Sequence, residues 1–350
     1  MTTNYLISVA IVFTLSLTLS VVLTIAARRI APRLGLVDNP GGRRQHTQAM
    51  ARFGALPLWG AFTITALVAQ HLPVERGDPY EVIRLFGLLF GGTFLFLFGL
   101  LDDRIELSSL WQGLIQIGAA AIGVVFLIFI QRFNNPLTQE TEDLPYVLTV
   151  AISLFWLGLM MNTLNFLDGV DGLAAGVTLI ASLLLFIHTV RPDQYGQSQL
   201  SVSLLPMALI GTAAGFLIFN WHPAKIFMGS GAVYLGYTLG ALSIIGGAKM
   251  ATILLVMGLP LLDVAWQVAR RLASGKNPFI GDRGHLHFRL IDVGVSPRWI
   301  ATGYYFFCTA FGVLALITTS RQFKLVAIVI MIILVLVGFV LVARRAKDPI

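Results

Sequence analysis

The residues best suited to chemistry lie in Asn162-Thr-Leu-Asn-Phe-Leu-Asp-Gly-Val-Asp-Gly-Leu-Ala174, directly after the apolar run Pro145 to Met161. Asn162, Asn165, Asp168 and Asp171 recur at every third position, a spacing that shares one face on a helix. Polar side chains at bilayer depth need partners or a watery cavity, so an acid pair there marks a functional site. Gly169 and Gly172 beside the acids keep the turn open to a ligand. Such a set suits an anionic substrate held through a metal.

Further polar clusters have a chemical and a plain reading. Asp102-Asp103 ends the run Gly91 to Leu101. Adjacent carboxylates repel unless a cation lies between them; the plain reading is a helix cap beside a solvated charge. His285-Leu-His287 stands near Asp282, Arg283 and Arg289. Histidine donates to phosphate when charged and ligates metal when neutral, or these are solvated loop histidines. Arg43, Arg44, His46 and Arg52 read as a phosphate patch or as anchors for anionic lipid head groups. Phe227, before Met228-Gly-Ser-Gly231, reads as a base-stacking face or as an interfacial aromatic. Asp263, inside an apolar run, caps a broken helix or faces a polar pocket.

The frame that must hold these residues is apolar. Hydrophobic residues make up 57% of the 350, charged residues 12%, and the mean hydropathy is +0.82. A soluble domain carries about twice that charge fraction. Apolar runs near the roughly 20 residues of a helical span occur at 5–27, 54–71, 83–101, 112–130, 146–163, 172–190, 202–220, 232–247, 250–267, 300–319 and 324–343. The expectation is an all-α polytopic membrane protein, one domain over 1–350 with about eleven transmembrane helices. The first run lacks a basic flank before it and a small-residue cleavage site, and Arg28, Arg29 and Arg33 follow it. It therefore reads as a retained anchor. The single cysteine, Cys308, lies inside a run and reads as packing, with no disulfide framework.

Loop charge gives an orientation. If the eleven spans alternate, 17 of the 24 Lys and Arg residues fall on the side of loops 28–53, 101–111, 164–172, 221–231 and 268–299 and of the C-terminus. The positive-inside rule places that side in the cytoplasm and the N-terminus outside. The net charge of +7 is then a topology signal, and nucleic acid is not an expected partner. All the polar clusters share this side, as in an enzyme at the inner membrane surface. A transporter would place ionisable groups near the midplane, with internal repeats and broken helices, and no convincing repeat is present.

Gly35-Leu-Val-Asp-Asn-Pro-Gly-Gly-Arg-Arg-Gln-His46, Leu100-Leu-Asp-Asp103, the stretch Asn162 to Ala174, Lys225-Ile-Phe-Met-Gly229 and Asp282-Arg-Gly-His-Leu-His287 occur in this order. Together they closely resemble the polyprenyl-phosphate N-acetylhexosamine-1-phosphate transferases, over about residues 35–298. The resemblance implies transfer of a sugar-1-phosphate, GlcNAc-1-phosphate foremost, from a UDP-N-acetylhexosamine to undecaprenyl phosphate. It implies release of UMP at the start of cell-envelope glycan synthesis. The protein would be multi-pass in a bacterial inner membrane, with its active site facing the cytoplasm. By resemblance Asp102, Asp103 and Asp168 are catalytic, and Asp102 or Asp103 deprotonates or orients the lipid phosphate. Asp168, Asp171 and Asp102 hold Mg2+, with Mn2+ as a substitute. Arg43, Arg44, His46, Asn162, Asn165, Gly169, Asp171, Phe227, His285, His287 and Arg289 bind substrate, with Phe227 stacked on uracil. A homodimer is an option.

The chain departs from the family's pattern. The family usually reads Met-Gly-Asp-Ser-Gly-Ser before an aromatic and Leu-Gly, whereas this chain reads Met228-Gly-Ser-Gly-Ala-Val-Tyr-Leu-Gly236. The absent residue aligns with an aspartate that ligates magnesium in relatives. Gln112 stands where lysine is common, Phe288 replaces a third histidine, and Ala51 and Ala55 replace a proline and a glycine around Arg52. The alternative reading is accordingly a weak or inactive homologue that still binds UDP-sugar or polyprenyl phosphate.

Overall fold

The computed structural model describes residues 2–38, 49–135, 140–191, 199–247, 250–275, 284–318 and 320–345. Arg43, Arg44, His46, Asp282 and Arg283 lie outside the described residues. The helices are α1 (Thr3–Leu34), α2 (Ala55–Ala69), α3 (Glu81–Ile105), α4 (Ser109–Val125), α5 (Tyr146–Leu167), α6 (Leu173–Val190) and α7 (Leu200–Asn220). They continue as α8 (Gly231–Ile245), α9 (Met250–Val256), α10 (Gly258–Ala273), α11 (Leu286–Asp292), α12 (Pro297–Ile317) and α13 (Arg321–Arg345).

Each apolar run of the sequence coincides with a helix, and the differences are physical. Among the described residues, seven helices are long and apolar enough to cross a membrane: α1, α3, α5, α6, α7, α12 and α13. The helices α2, α4 and α8 are apolar but shorter. The run at 250–267 is split into α9 and α10 at Met257, just before Gly258-Leu-Pro260. Proline lacks an N–H, so it suits the first turn of a new helix better than the middle of an old one. The chain also forms two short antiparallel pairs that an all-α reading does not foresee. Strands β1 (Val37–Asp38) and β2 (Met50–Ala51) pair Val37 with Ala51, and β3 (Arg132–Asn134) and β4 (Thr141–Asp143) pair Arg132 with Asp143.

Packing inverts the soluble pattern. On α1 the buried stripe is Tyr5, Ser8, Val12, Ser16, Ser20, Thr24, Ala27 and Ala31, while Leu6, Ile7, Ile11 and Val22 are exposed. Small residues let helix backbones approach when lipid supplies no hydrophobic drive between them. The partner of α1 is α7, where a Cβ on Gly211 would collide with the Ser16 hydroxyl and one on Gly215 would sit 2.8 Å from the Leu17 carbonyl oxygen. Ser20 donates to the Thr212 carbonyl at 2.7 Å. At the α5–α8 contact, a Cβ on Gly236 would come within 2.5 Å of the Met160 carbonyl oxygen.

Successive connections fall at two ends of the bundle. At one end, residues from the α1–α2, α5–α6 and α7–α8 connections line one cavity together with residues of α3, α4, α11 and α12. At the other end, the start of α3 meets the start of α7 through Glu81 and Ser201. There Arg84 reaches the Leu127 carbonyl after α4, and Arg321 reaches the Glu140 carbonyl before α5.

Candidate active site

The cavity has a volume of about 880 Å³. Its polar wall includes Arg52, Asp102, Gln112, Asn165, Asp168, Asp171, His222 and Ser230, and its apolar wall includes Leu95, Phe98, Ile115, Val233 and Phe288. The helix ends set where each group stands. Asp102 and Asp103 sit in the last turn of α3, and Asn165 in the last turn of α5. Asp168 caps α5, and Gly172 opens α6. Gly172 has φ +77, a left-handed conformation that turns the chain between α5 and α6 within five residues of Leu167.

The two carboxylates of the acid pair face different partners. Asp102 accepts the Leu107 N–H at 2.8 Å and the Gln112 amide at 3.1 Å and 3.3 Å. Gln112 therefore holds a carboxylate where a lysine would also have supplied charge. Asp103 is buried and points at the turn before α8. It accepts the Ser230 N–H at 3.1 Å and the Ser230 hydroxyl at 2.7 Å, and it pairs with Arg52 Nε at 3.2 Å. Gly229, at φ +57, makes room for this contact, since a Cβ there would lie 2.8 Å from either carboxylate oxygen. The Met228-Gly-Ser-Gly segment thus places a serine hydroxyl on Asp103.

Asp168 differs from both. It borders the cavity, and among the described residues it accepts no hydrogen bond. Burial pushes its carboxyl well above the usual carboxylate range; the Arg52 guanidinium opposes this, while Asp171 and Asp103 reinforce it. A perturbed, unpartnered acid in a cleft is the signature of a functional group. Among the described residues Asp171 has partners on one oxygen only: His222 Nδ1 at 2.7 Å and the Ala224 N–H at 3.1 Å both reach Oδ2.

The remaining expected residues divide between wall and support. Asn165, Gly169 and Phe227 line the cavity. Asn162 lies one turn back and donates to Gln116 at 2.7 Å and to the Gly158 carbonyl at 2.8 Å. His285 and His287 are buried behind the wall, 3.4 Å and 3.6 Å from Asp263 Oδ2, and Asp263 Oδ1 accepts the Leu286 N–H at 3.0 Å. Burial holds the His287 imidazole below its usual range, with Asp263 opposing. His285 stacks on Phe166, and Phe288 packs against Gly169. Arg289 is buried and donates to the Gly284 carbonyl at 3.0 Å.

Of the wall residues, His222 carries no motif signal, whereas Arg52 belongs to the expected phosphate or head-group patch, and Gln112 and Ser230 mark departures from the family's pattern. Arg52 is placed by backbone pairing: its N–H donates to the Leu36 carbonyl, and Phe227 donates to the Ala51 carbonyl. Residues more than 170 positions apart, Arg52 and Phe227, thereby form a bridge beside the cavity. No local spacing announces such a pairing; the one cue for His222 is its position in the loop 221–231.

Comparison with known proteins gives the family. Residues 85–247 match the family model described as glycosyl transferase family 4. The chain is 28% identical to a probable undecaprenyl-phosphate N-acetylglucosaminyl 1-phosphate transferase of Bacillus subtilis, covering 94% of this chain and 90% of the relative. It is 31% identical to a decaprenyl-phosphate N-acetylglucosaminephosphotransferase of Mycolicibacterium smegmatis, covering 92% and 85%. It is 27% identical to an undecaprenyl-phosphate alpha-N-acetylglucosaminyl 1-phosphate transferase of Escherichia coli, covering 78% and 73%. With relatives aligned along most of both chains, the protein belongs to glycosyl transferase family 4, among the polyprenyl-phosphate N-acetylglucosamine-1-phosphate transferases.

Proposed function

We propose that the protein transfers GlcNAc-1-phosphate from UDP-GlcNAc to a polyprenyl phosphate, undecaprenyl phosphate in the first instance. A lipid phosphate oxygen attacks the sugar-bearing phosphorus, the bond to UMP breaks, and UMP leaves. Phosphoryl transfer of this kind needs positioning and charge neutralisation more than covalent help. The observation that carries the reading is one cavity lined by Asp168, which accepts no hydrogen bond among the described residues, by Arg52, and by the apolar Leu95, Phe98, Ile115 and Val233. The polar lining suits phosphates; the apolar lining suits an isoprenoid tail.

The donor set fits a cation of the Mg2+ class. Such ions take one or two carboxylates and complete their shell with substrate phosphates and waters. Among the described residues Asp168 accepts no hydrogen bond and is available for this. Asp102 retains acceptor capacity beside Gln112, whereas Asp103 is committed to Ser230 and Arg52. Among the described residues no three His, Cys, Asp or Glu side chains form an all-protein cage, in keeping with a substrate-completed site. When bound, the ion would neutralise charge developing on the diphosphate.

The alternation of connections between the two ends of the bundle supports eleven crossings. The short α2, α4 and α8 would lie in the membrane among longer neighbours, with α9 and α10 together making one pass. The excess of Lys and Arg at the cavity end supports a cytoplasmic active site in the inner membrane, with the N-terminus outside and the C-terminus inside. The test is UMP release by purified, detergent-solubilised protein given UDP-GlcNAc and undecaprenyl phosphate, with Mg2+ or with EDTA. UMP that requires both lipid and metal is expected. Binding of UDP-GlcNAc without any UMP would favour the inactive-homologue reading instead, the one that Ser230 in place of a metal-ligating aspartate favours.

A further inference from the structure

His222 stands in the cavity wall with a bond whose purpose the fold does not explain. Its loop is already anchored without it. Asn220 accepts the Gly172 N–H at 3.1 Å and donates to the Ile226 carbonyl at 3.0 Å, both in buried surroundings. The Tyr305 hydroxyl donates to the Gly172 carbonyl at 2.6 Å, and Arg298 Nε donates to the His222 carbonyl at 3.1 Å. The His222 side chain, by contrast, is 35% exposed and that of Asp171 22% exposed. A pair this open to water adds little to stability.

The chemistry of the bond is specific. A carboxylate oxygen only accepts, so Nδ1 of His222 carries the proton that it shares with Asp171 Oδ2. The Ala224 N–H donates to the same oxygen. Two donors therefore converge on Oδ2, and Oδ1 is left without a hydrogen bond among the described residues. The imidazole sets the plane of the carboxylate by gripping one edge of it, much as groups behind a functional side chain fix its orientation.

We propose that His222 is a positioning residue that acts through Asp171, presenting the Asp171 Oδ1 atom to an O–H or N–H donor of the nucleotide-sugar. The inference rests on the transferase reading above. An orientation of this kind serves ground-state binding, so its loss raises KM with a smaller effect on kcat.

Three variants of the full chain in detergent separate the alternatives: H222A, H222N and H222Q. In H222N the amide nitrogen takes the place of Nδ1; in H222Q it takes the place of Nε2. Steady-state UMP release and equilibrium binding of UDP-GlcNAc without lipid are both measured, together with the thermal unfolding midpoint. H222A and H222Q are expected to raise KM and the dissociation constant about tenfold, the size of one lost charge-assisted hydrogen bond. H222N is expected to stay within about threefold of the parent. Parent-like H222Q beside a defective H222N would overturn the proposal in favour of direct contact through Nε2. Parent-like H222A would overturn it in favour of a passive surface pair. Parent protein that binds UDP-GlcNAc with the same H222N and H222Q pattern, yet releases no UMP, would remove the transferase reading and leave the positioning role standing. Parent protein with neither binding nor turnover would remove both.

Discussion

The two ends of the helical bundle hold similar residues and use them differently. At the end away from the cavity, buried Glu81 pairs with Arg76 and accepts the Ser201 hydroxyl at 2.7 Å. Arg76 is further spent on the Gln70 side chain and on the Ala69 and Gln70 carbonyls. Arg84 pairs with Asp78 at 2.7 Å and donates to the Leu127 carbonyl. These charges saturate one another. At the cavity end, Asp103 is saturated in the same manner by Ser230 and Arg52, but among the described residues no donor meets Asp168 or the second oxygen of Asp171. A desolvated acid without a donor costs stability, so a fold tolerates one only where something else depends on it. The difference separates charges that hold helices together from charges that await a ligand.

The largest expected effect tests the unpaired acid. D168N should lower kcat by about a thousandfold, on the scale of losing a preorganised electrostatic group, while the protein stays folded. The raised carboxyl also fixes a sign. A group whose folded pKa exceeds its unfolded value of 3.8 costs folding free energy once pH passes the unfolded value, and the cost grows until the folded pKa is reached. In EDTA, the unfolding midpoint of the parent should therefore fall relative to D168N as pH rises from about 4. A D168N protein with parent-like UMP release would erase the contrast between the two ends.

The converse substitution belongs at the opposite end. E81Q should destabilise the protein by about 2 kcal/mol, since it withdraws the charge facing Arg76 in a buried setting. UMP release at a temperature where the protein is folded should not change. Lost activity with unaltered unfolding would show that the two ends are coupled. The smallest effect is expected between the extremes. S230A removes the hydroxyl on Asp103 but leaves the backbone N–H, so about 1 kcal/mol of stability should be lost. Activity should fall by less than in D168N. A stronger loss than in D168N would make Asp103, and not Asp168, the acid that matters most.

Much of this was legible in the sequence because hydropathy and local spacing carry it. The eleven apolar runs fall on helices, and the cavity wall collects the Asn165, Asp168 and Asp171 ladder, Asp102 and Phe227. Local spacing could not tell wall from support. Asn162, one turn back from Asn165 on the same ladder, bonds Gln116 inside the bundle. His285 and His287 read as groups open to solvent or substrate, yet they are buried against Asp263, a residue of α10 that their own loop does not contain. The short strands at 37–38 and 50–51 escaped notice because two residues have no period to detect.

The sequence by itself determined that this is a membrane-embedded helical chain with its polar chemistry on one side, because both properties follow from which residues water and lipid exclude. It also determined the family, through motifs whose order no other pressure explains. Only the tertiary structure decided which acids are free. That depends on partners brought from distant helix ends: Ser230 and Arg52 onto Asp103, Gln112 onto Asp102, His222 onto Asp171, and among the described residues no donor onto Asp168. The reason is geometric, since a carboxylate is consumed or spared by groups within about 3 Å, and no spacing along the chain encodes that distance.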